Sequence, residues 1–64
     1  MTHFVIIRNN ADQKVVETIH FEDASSASSG YDDMVAHVIE DGTVHGVTYE
    51  LRDRFGVRAA RNIK

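Results

Sequence analysis

Apolar and polar residues change period twice along the first 52 residues of this chain. HFVIIRN (residues 3–9) and KVVETIHFED (residues 14–23) are rich in β-branched and aromatic residues and flank Asn9-Asn10-Ala11-Asp12-Gln13, a cluster suited to a turn. Together they predict a β-hairpin. With Ala11 and Asp12 at its tip, Phe4 faces Ile19, Ile6 faces Glu17 and His3 faces His20. One face then holds Phe4, Ile6, Val15, Ile19 and Phe21, and the other holds His3, Val5, Ile7, Val16, Thr18 and His20. Neither face is polar throughout, and a single helix covers only one of them.

The period then lengthens. In SSGYDDMVAHVIEDG (residues 28–42), Tyr31, Met34, Val35, Val38 and Ile39 recur at helical spacing and form one stripe. Ser29 is placed to cap this helix with Asp32 as its capping-box partner, and Gly42 supplies a left-handed stop. The small polar run Ala24-Ser25-Ser26-Ala27-Ser28 reads as the turn leading in. Period two returns at Val47-Thr48-Tyr49-Glu50-Leu51-Arg52, predicting a third strand with Val47, Tyr49 and Leu51 toward the helix. The helix reverses the chain, so this strand runs parallel to the second. Lying beside the first, it completes an antiparallel sheet of order 2-1-3. The expected fold is α+β, a ββαβ domain over residues 1–52 with the helix packed on one face of the sheet.

Residues 53–64, DRFGVRAARNIK, read as a basic C-terminal tail or a tail helix with Phe55, Ala59 and Ile63 on one side and Arg54, Arg58 and Arg61 on the other. Gly56 weakens such a helix by about 1 kcal/mol relative to Ala. A second reading takes residues 48–63 as a helix-turn-helix, because Leu51, Phe55, Gly56 and Val57 resemble the LxxxFGV heart of that motif. Arg52 stands where that family usually has Ala, Asn62 falls where a buried aliphatic is expected, and the chain stops before the recognition helix is complete. The period-two pattern of residues 47–52 also opposes it.

Charge sharpens this division. Residues 1–51 carry Arg8 and Lys14 against nine carboxylates, net -7, whereas residues 52–64 carry five basic groups against Asp53, net +4. Such asymmetry marks an interaction tail or a basic end folded back on an acidic body. At 64 residues the chain is one small domain with a small core, which argues against a deep active-site cleft. It has no cysteine, so thiol chemistry and thiolate zinc sites are excluded. The longest apolar run, Phe4 to Ile7, is far too short to span a membrane, and Met1-Thr2-His3 has no basic signal-peptide start. A cytoplasmic protein with no membrane partner is expected.

FVIIRN, KVVETIHFED and GYDDMVAHVIEDG, within residues 4–42, resemble the small proteins encoded by bacteriophages of actinobacteria. The resemblance implies a compact accessory or host-modulating protein and points to no activity and no site residues.

Candidate chemistry is sparse. Tyr31-Asp32-Asp33 resembles the paired carboxylates of polymerases, but in the first turn of the expected helix its negative charge serves the helix dipole. Asp33, His37 and Asp41 repeat at i, i+4 and i+8 and form either a divalent-metal face or a solvated face of loose ion pairs. His3 and His20, opposed across the expected hairpin, and His45 form a possible proton-sensitive patch or ligand cluster. No nucleophile has an adjacent base, since the serines gather at residues 25–29, so an enzyme has no carrier residue and no cofactor is implied. The expected function is non-enzymatic binding of a protein partner. Val5, Ile7 and Val16 would lie exposed on the uncovered sheet face, most simply buried in a homodimer. The alternative is nucleic-acid binding through Arg54, Arg58 and Arg61.

Overall fold

The computed structural model describes residues 2–64, so Met1, part of the start inspected for targeting signals, lies outside the described residues. Strands β1 (His3–Asn9) and β2 (Val15–Phe21) are followed by helix α1 (Ala24–Asp41) and strands β3 (Val47–Asp53) and β4 (Gly56–Ile63). All neighbouring strands are antiparallel, in the order β2-β1-β3-β4. The α+β class and the 2-1-3 order expected for the first three strands are both present, with the helix packed on one face.

Residues 56–63 depart from the tail or helix expected of them and form a fourth strand paired to β3. The turn explains why. The Asp53 carboxylate accepts from the Phe55 N–H at 2.7 Å, and Gly56 adopts φ 119°, so the chain doubles back after Arg54-Phe55. Asn or Asp at the start of a two-residue turn and Gly after it are hairpin chemistry. The same geometry rules out the helix-turn-helix, because residues 48–53, with which that reading begins, lie in an extended strand.

The expected hairpin register holds only next to the turn. Asn9 and Lys14 close the loop with an N–H to carbonyl bond of 2.8 Å, Gln13 adopts φ 63°, and Arg8 opposes Val15 as the turn residues suggest. Between Ile7 and Arg8 the register shifts, because β2 contributes one extra residue, Val16. Beyond this β-bulge Phe4 opposes His20, Val5 opposes Ile19 and Ile6 opposes Thr18. A slip of one residue turns every later side chain over. Ile19 and Phe21 therefore join Val5 and Ile7 on one face, leaving Phe4, Ile6, Thr18 and His20 on the other.

The helix covers the face to which the bulge brings the aliphatics. Val5 is fully buried, and with Tyr31, Val38, Tyr49 and Ile63 it forms the core, flanked by partly buried Ile7, Phe21, Met34, Val35, Val47, Leu51 and Ala59. Tyr31, Met34, Val35 and Val38 of the expected stripe face inward, whereas Ile39 at its edge is 48% exposed. Val47, Tyr49 and Leu51 lie under the helix as the alternation predicts.

The helix also begins earlier than its apolar stripe. Its cap is Asp23, in extended backbone geometry, whose carboxylate accepts from the Ser26 N–H at 2.7 Å. That hydrogen bond holds the Asp23 carboxyl below its ordinary range. The run read as a turn forms the first helical turns, anchored by Ala27, which is 1% exposed. Gly30 sits against Phe21, and a Cβ there would lie 2.6 Å from the ring. Its missing side chain lets the helix approach β2. At the other end Gly42 takes φ 70° and its N–H returns to the Val38 carbonyl, the stop that the sequence predicts.

Two polar ties fasten the lower end of the sheet, where α1 ends and β3 begins. Asn10 donates its N–H to the Gly46 carbonyl and its side-chain amide to Asn62, and accepts from the Thr48 hydroxyl. His45 places its two ring nitrogens 3.0 Å from the main-chain oxygens of Lys64 and Gly42, bridging the helix exit and the end of β4.

Candidate functional site

Three surface regions differ from ordinary solvated surface. The first is the tip of the β3–β4 hairpin. Phe55 is 72% exposed, more than any other large apolar side chain among the described residues. The Arg54 guanidinium lies 4.9 Å and that of Arg58 5.6 Å from its ring centroid, within cation–π range. Arg58 is itself fixed by Asp53 at 2.6 Å, and the hydrogen bond from Arg58 depresses the Asp53 carboxyl's pKa. A two-residue turn and two guanidinium contacts thus hold an exposed aromatic ring in place.

The second region is the sheet face without a helix. Glu50 accepts from Arg8 at 3.1 Å and from Arg52 at 2.8 Å, giving a ladder across β1 and β3. Burial opposes ionisation of Glu50, but the hydrogen bonds from Arg52 and Arg8 outweigh it and hold its carboxyl below the usual range. Ile6 lies on this face between Phe4 and Arg8 along β1, opposite Thr18 and Glu50, and is only 8% exposed. Long charged side chains cover apolar surface with their stems while their heads meet water. Phe4 packs beside His20 with ring centroids 5.8 Å apart. Ile6 is therefore closed over by its own neighbours on this face, while the outer strands leave Val15, opposite Arg8, and Val57, opposite Arg52, 46% and 51% exposed.

The third region is a hollow of about 540 Å³ beside the C-terminal half of α1. Met34, Val38, Val44 and Tyr49 supply its apolar wall, and Asp33, His37 and Asp41 supply its polar part. The i, i+4, i+8 trio thus shares one surface. Among the described residues, however, no three His, Cys, Asp or Glu side chains are grouped to hold a metal ion.

The anticipated site residues are redistributed accordingly. Val5 and Ile7 are under the helix, because the bulge selects their face for the core, and only Val16 of that trio is exposed. The basic trio is divided. Arg54 and Arg58 flank Phe55, whereas Arg61 opposes Tyr49 on the helix-covered face. There its charge partly counters burial, which pushes the Tyr31 hydroxyl above its ordinary pKa. His3 and His20 no longer oppose each other, since the shifted register pairs them with Phe21 and Phe4. Asp32 and Asp33 sit in the third turn of the longer helix, beyond the reach of its N-terminal dipole.

Phe55 is the residue whose importance the sequence understated. The signal was present in Asp53-Arg54-Phe55-Gly56, which reads as a hairpin turn once residues 56–63 are taken as a strand.

No helix among the described residues is long and apolar enough to cross a membrane. No protein-family model, curated protein or solved structure matches the chain.

Proposed function

We propose that this protein is a non-enzymatic interaction module that binds a protein partner through the Phe55 hairpin tip. A cytoplasmic accessory or host-modulating role, as the resemblance to small actinobacteriophage proteins implies, accommodates such a module. The observation carrying the proposal is Phe55 itself, an exposed aromatic ring held by Arg54 and Arg58. Aromatic and arginine side chains dominate the energetics of protein interfaces. An anchor already fixed loses little side-chain entropy when a partner covers it. The homodimer expected of Val5, Ile7 and Val16 has to use another surface, because Val5 and Ile7 are occupied by the helix.

Nucleic acid is the second reading, favoured by the same juxtaposition of a ring and two guanidinium groups, on which a base can stack while phosphates pair. Charge weighs against it. Arg58 is engaged by Asp53, Arg8 and Arg52 share Glu50, and the chain carries a net charge of -3. Affinity purification from a bacterial lysate, with and without nuclease, separates the readings. The expected result is a protein retained after nuclease treatment by the wild type and lost with Phe55→Ser. Nuclease-sensitive capture, together with duplex or single-strand binding whose log K falls with log salt at about -0.9 or -0.7 per phosphate, would reverse the ranking.

A further inference from the structure

We infer that the Phe55 tip of one copy seats in the acid-rimmed hollow beside α1 of a second copy, and reciprocally, so that the protein forms a two-fold dimer. The inference rests on the reading of the tip as an interaction anchor and names a second copy of the chain as its partner. The two surfaces are complementary in both polarity and charge. The tip presents an exposed ring with Arg54 beside it, and among the described residues Arg54 makes no ion pair. The hollow presents Met34, Val38 and partly exposed Val44 as an apolar seat, with Asp33 and Asp41 on its rim.

One molecule cannot satisfy both halves by itself. The tip follows Asp53, at the end of the sheet where α1 begins, whereas Asp41 and Val44 lie where α1 ends. From Tyr49 at the hollow to Arg54 at the tip, the five-residue rise of a strand is about 17 Å. That separation suits exchange between two copies. If one copy is inverted beside the other, each tip comes to its partner's hollow, and the contact closes on itself. The outer strand β2 offers a rival route by direct strand pairing, but the bulge at Val16 interrupts its outer edge. Two ring-in-hollow contacts make a small interface, so the association should be weak and should grow with concentration.

Analytical ultracentrifugation of the full chain over a concentration series tests the inference. The wild type should approach twice the 7.2 kDa chain mass as concentration rises. Phe55→Ser should weaken association at least tenfold, the order expected when an aromatic anchor is truncated. Arg54→Glu and the pair Asp33→Lys with Asp41→Lys should each weaken it as well, and combining these three substitutions in one chain should restore it. All the altered side chains are exposed or lie in a turn, and circular dichroism of each variant confirms that it folds. A wild type that stays monomeric at about 1 mM, a dimer that survives Phe55→Ser, or a charge swap that fails to restore association would overturn the inference. If the protein is monomeric but Phe55→Ser still abolishes nuclease-resistant capture of another protein, the dimer alone is lost and the proposed function stands.

Discussion

The two faces of this sheet are closed by different means. Beneath α1, Val5, Tyr49 and Ile63 are buried by packing against Tyr31 and Val38. On the opposite face Ile6 reaches similar burial without a helix, beneath a surface built around the Arg8–Glu50–Arg52 ladder. The first face depends on filling volume, and the second on keeping three charges in register. A substitution should therefore act very differently on each.

The largest effect is expected from Val5→Asp. A carboxylate under the helix has no partner there, and a loss of about 4 kcal/mol or more removes most of the stability of so small a domain. Thermal melting should show no cooperative transition. Val16→Asp, on the exposed part of β2, should change stability by no more than about 0.5 kcal/mol.

An intermediate effect should come from the seam between helix and sheet. Gly30→Ala improves helix propensity by about 1 kcal/mol, yet it drives a methyl group into the Phe21 ring. Overpacking typically costs about 1–3 kcal/mol, so a net loss is expected in urea denaturation. Adding Phe21→Leu should recover part of it. If Gly30→Ala alone stabilises the protein, the ring is free to move and the close approach is unimportant.

A comparable effect, and the one that depends on pH, belongs to the ladder. Glu50→Gln leaves the two arginines without their carboxylate and should cost about 1–2 kcal/mol at neutral pH. Because Glu50 is depressed in the folded state, its contribution is fully present above the ordinary glutamate value of 4.5. It is lost as pH falls through the lower folded value. The gap between wild type and Glu50→Gln in urea midpoint should therefore be wide at neutral pH and close in strong acid. A gap independent of pH would show that Glu50 acts through packing alone.

The covered face was legible in part, and its failures have physical causes. Alternation identified β3, helical spacing identified the stripe from Tyr31 to Val38, and Gly42 fixed the helix stop. The hairpin strands were equally clear, but Val16 carries no mark of a bulge, and one unpaired residue reassigns every side chain after it. The serine-rich start of α1 was hidden because its burial is carried by Ala27 and Gly30, residues too small to show a stripe. Strand β4 was hidden for a related reason. It is an outer strand with Arg58 and Arg61 between its few inward residues, so its hydrophobic alternation is faint. The tip site disappeared with it, since Phe55 has no evident role until residues on both sides of it are strands.

Both unpaired bulge residues fall on outer strands, Val16 in β2 and Arg58 in β4. An open antiparallel sheet exposes two rows of main-chain donors and acceptors onto which further chains can add without limit. A bulge at such a rim bends the strand and breaks the even spacing that an incoming backbone needs. Val15-Val16 lies in a β-branched run well suited to fibre growth, and the distortion falls there. The irregularity that obscures the fold in the sequence thus protects the molecule at high concentration, keeping a sheet with two unsealed margins from becoming the template for an endless one.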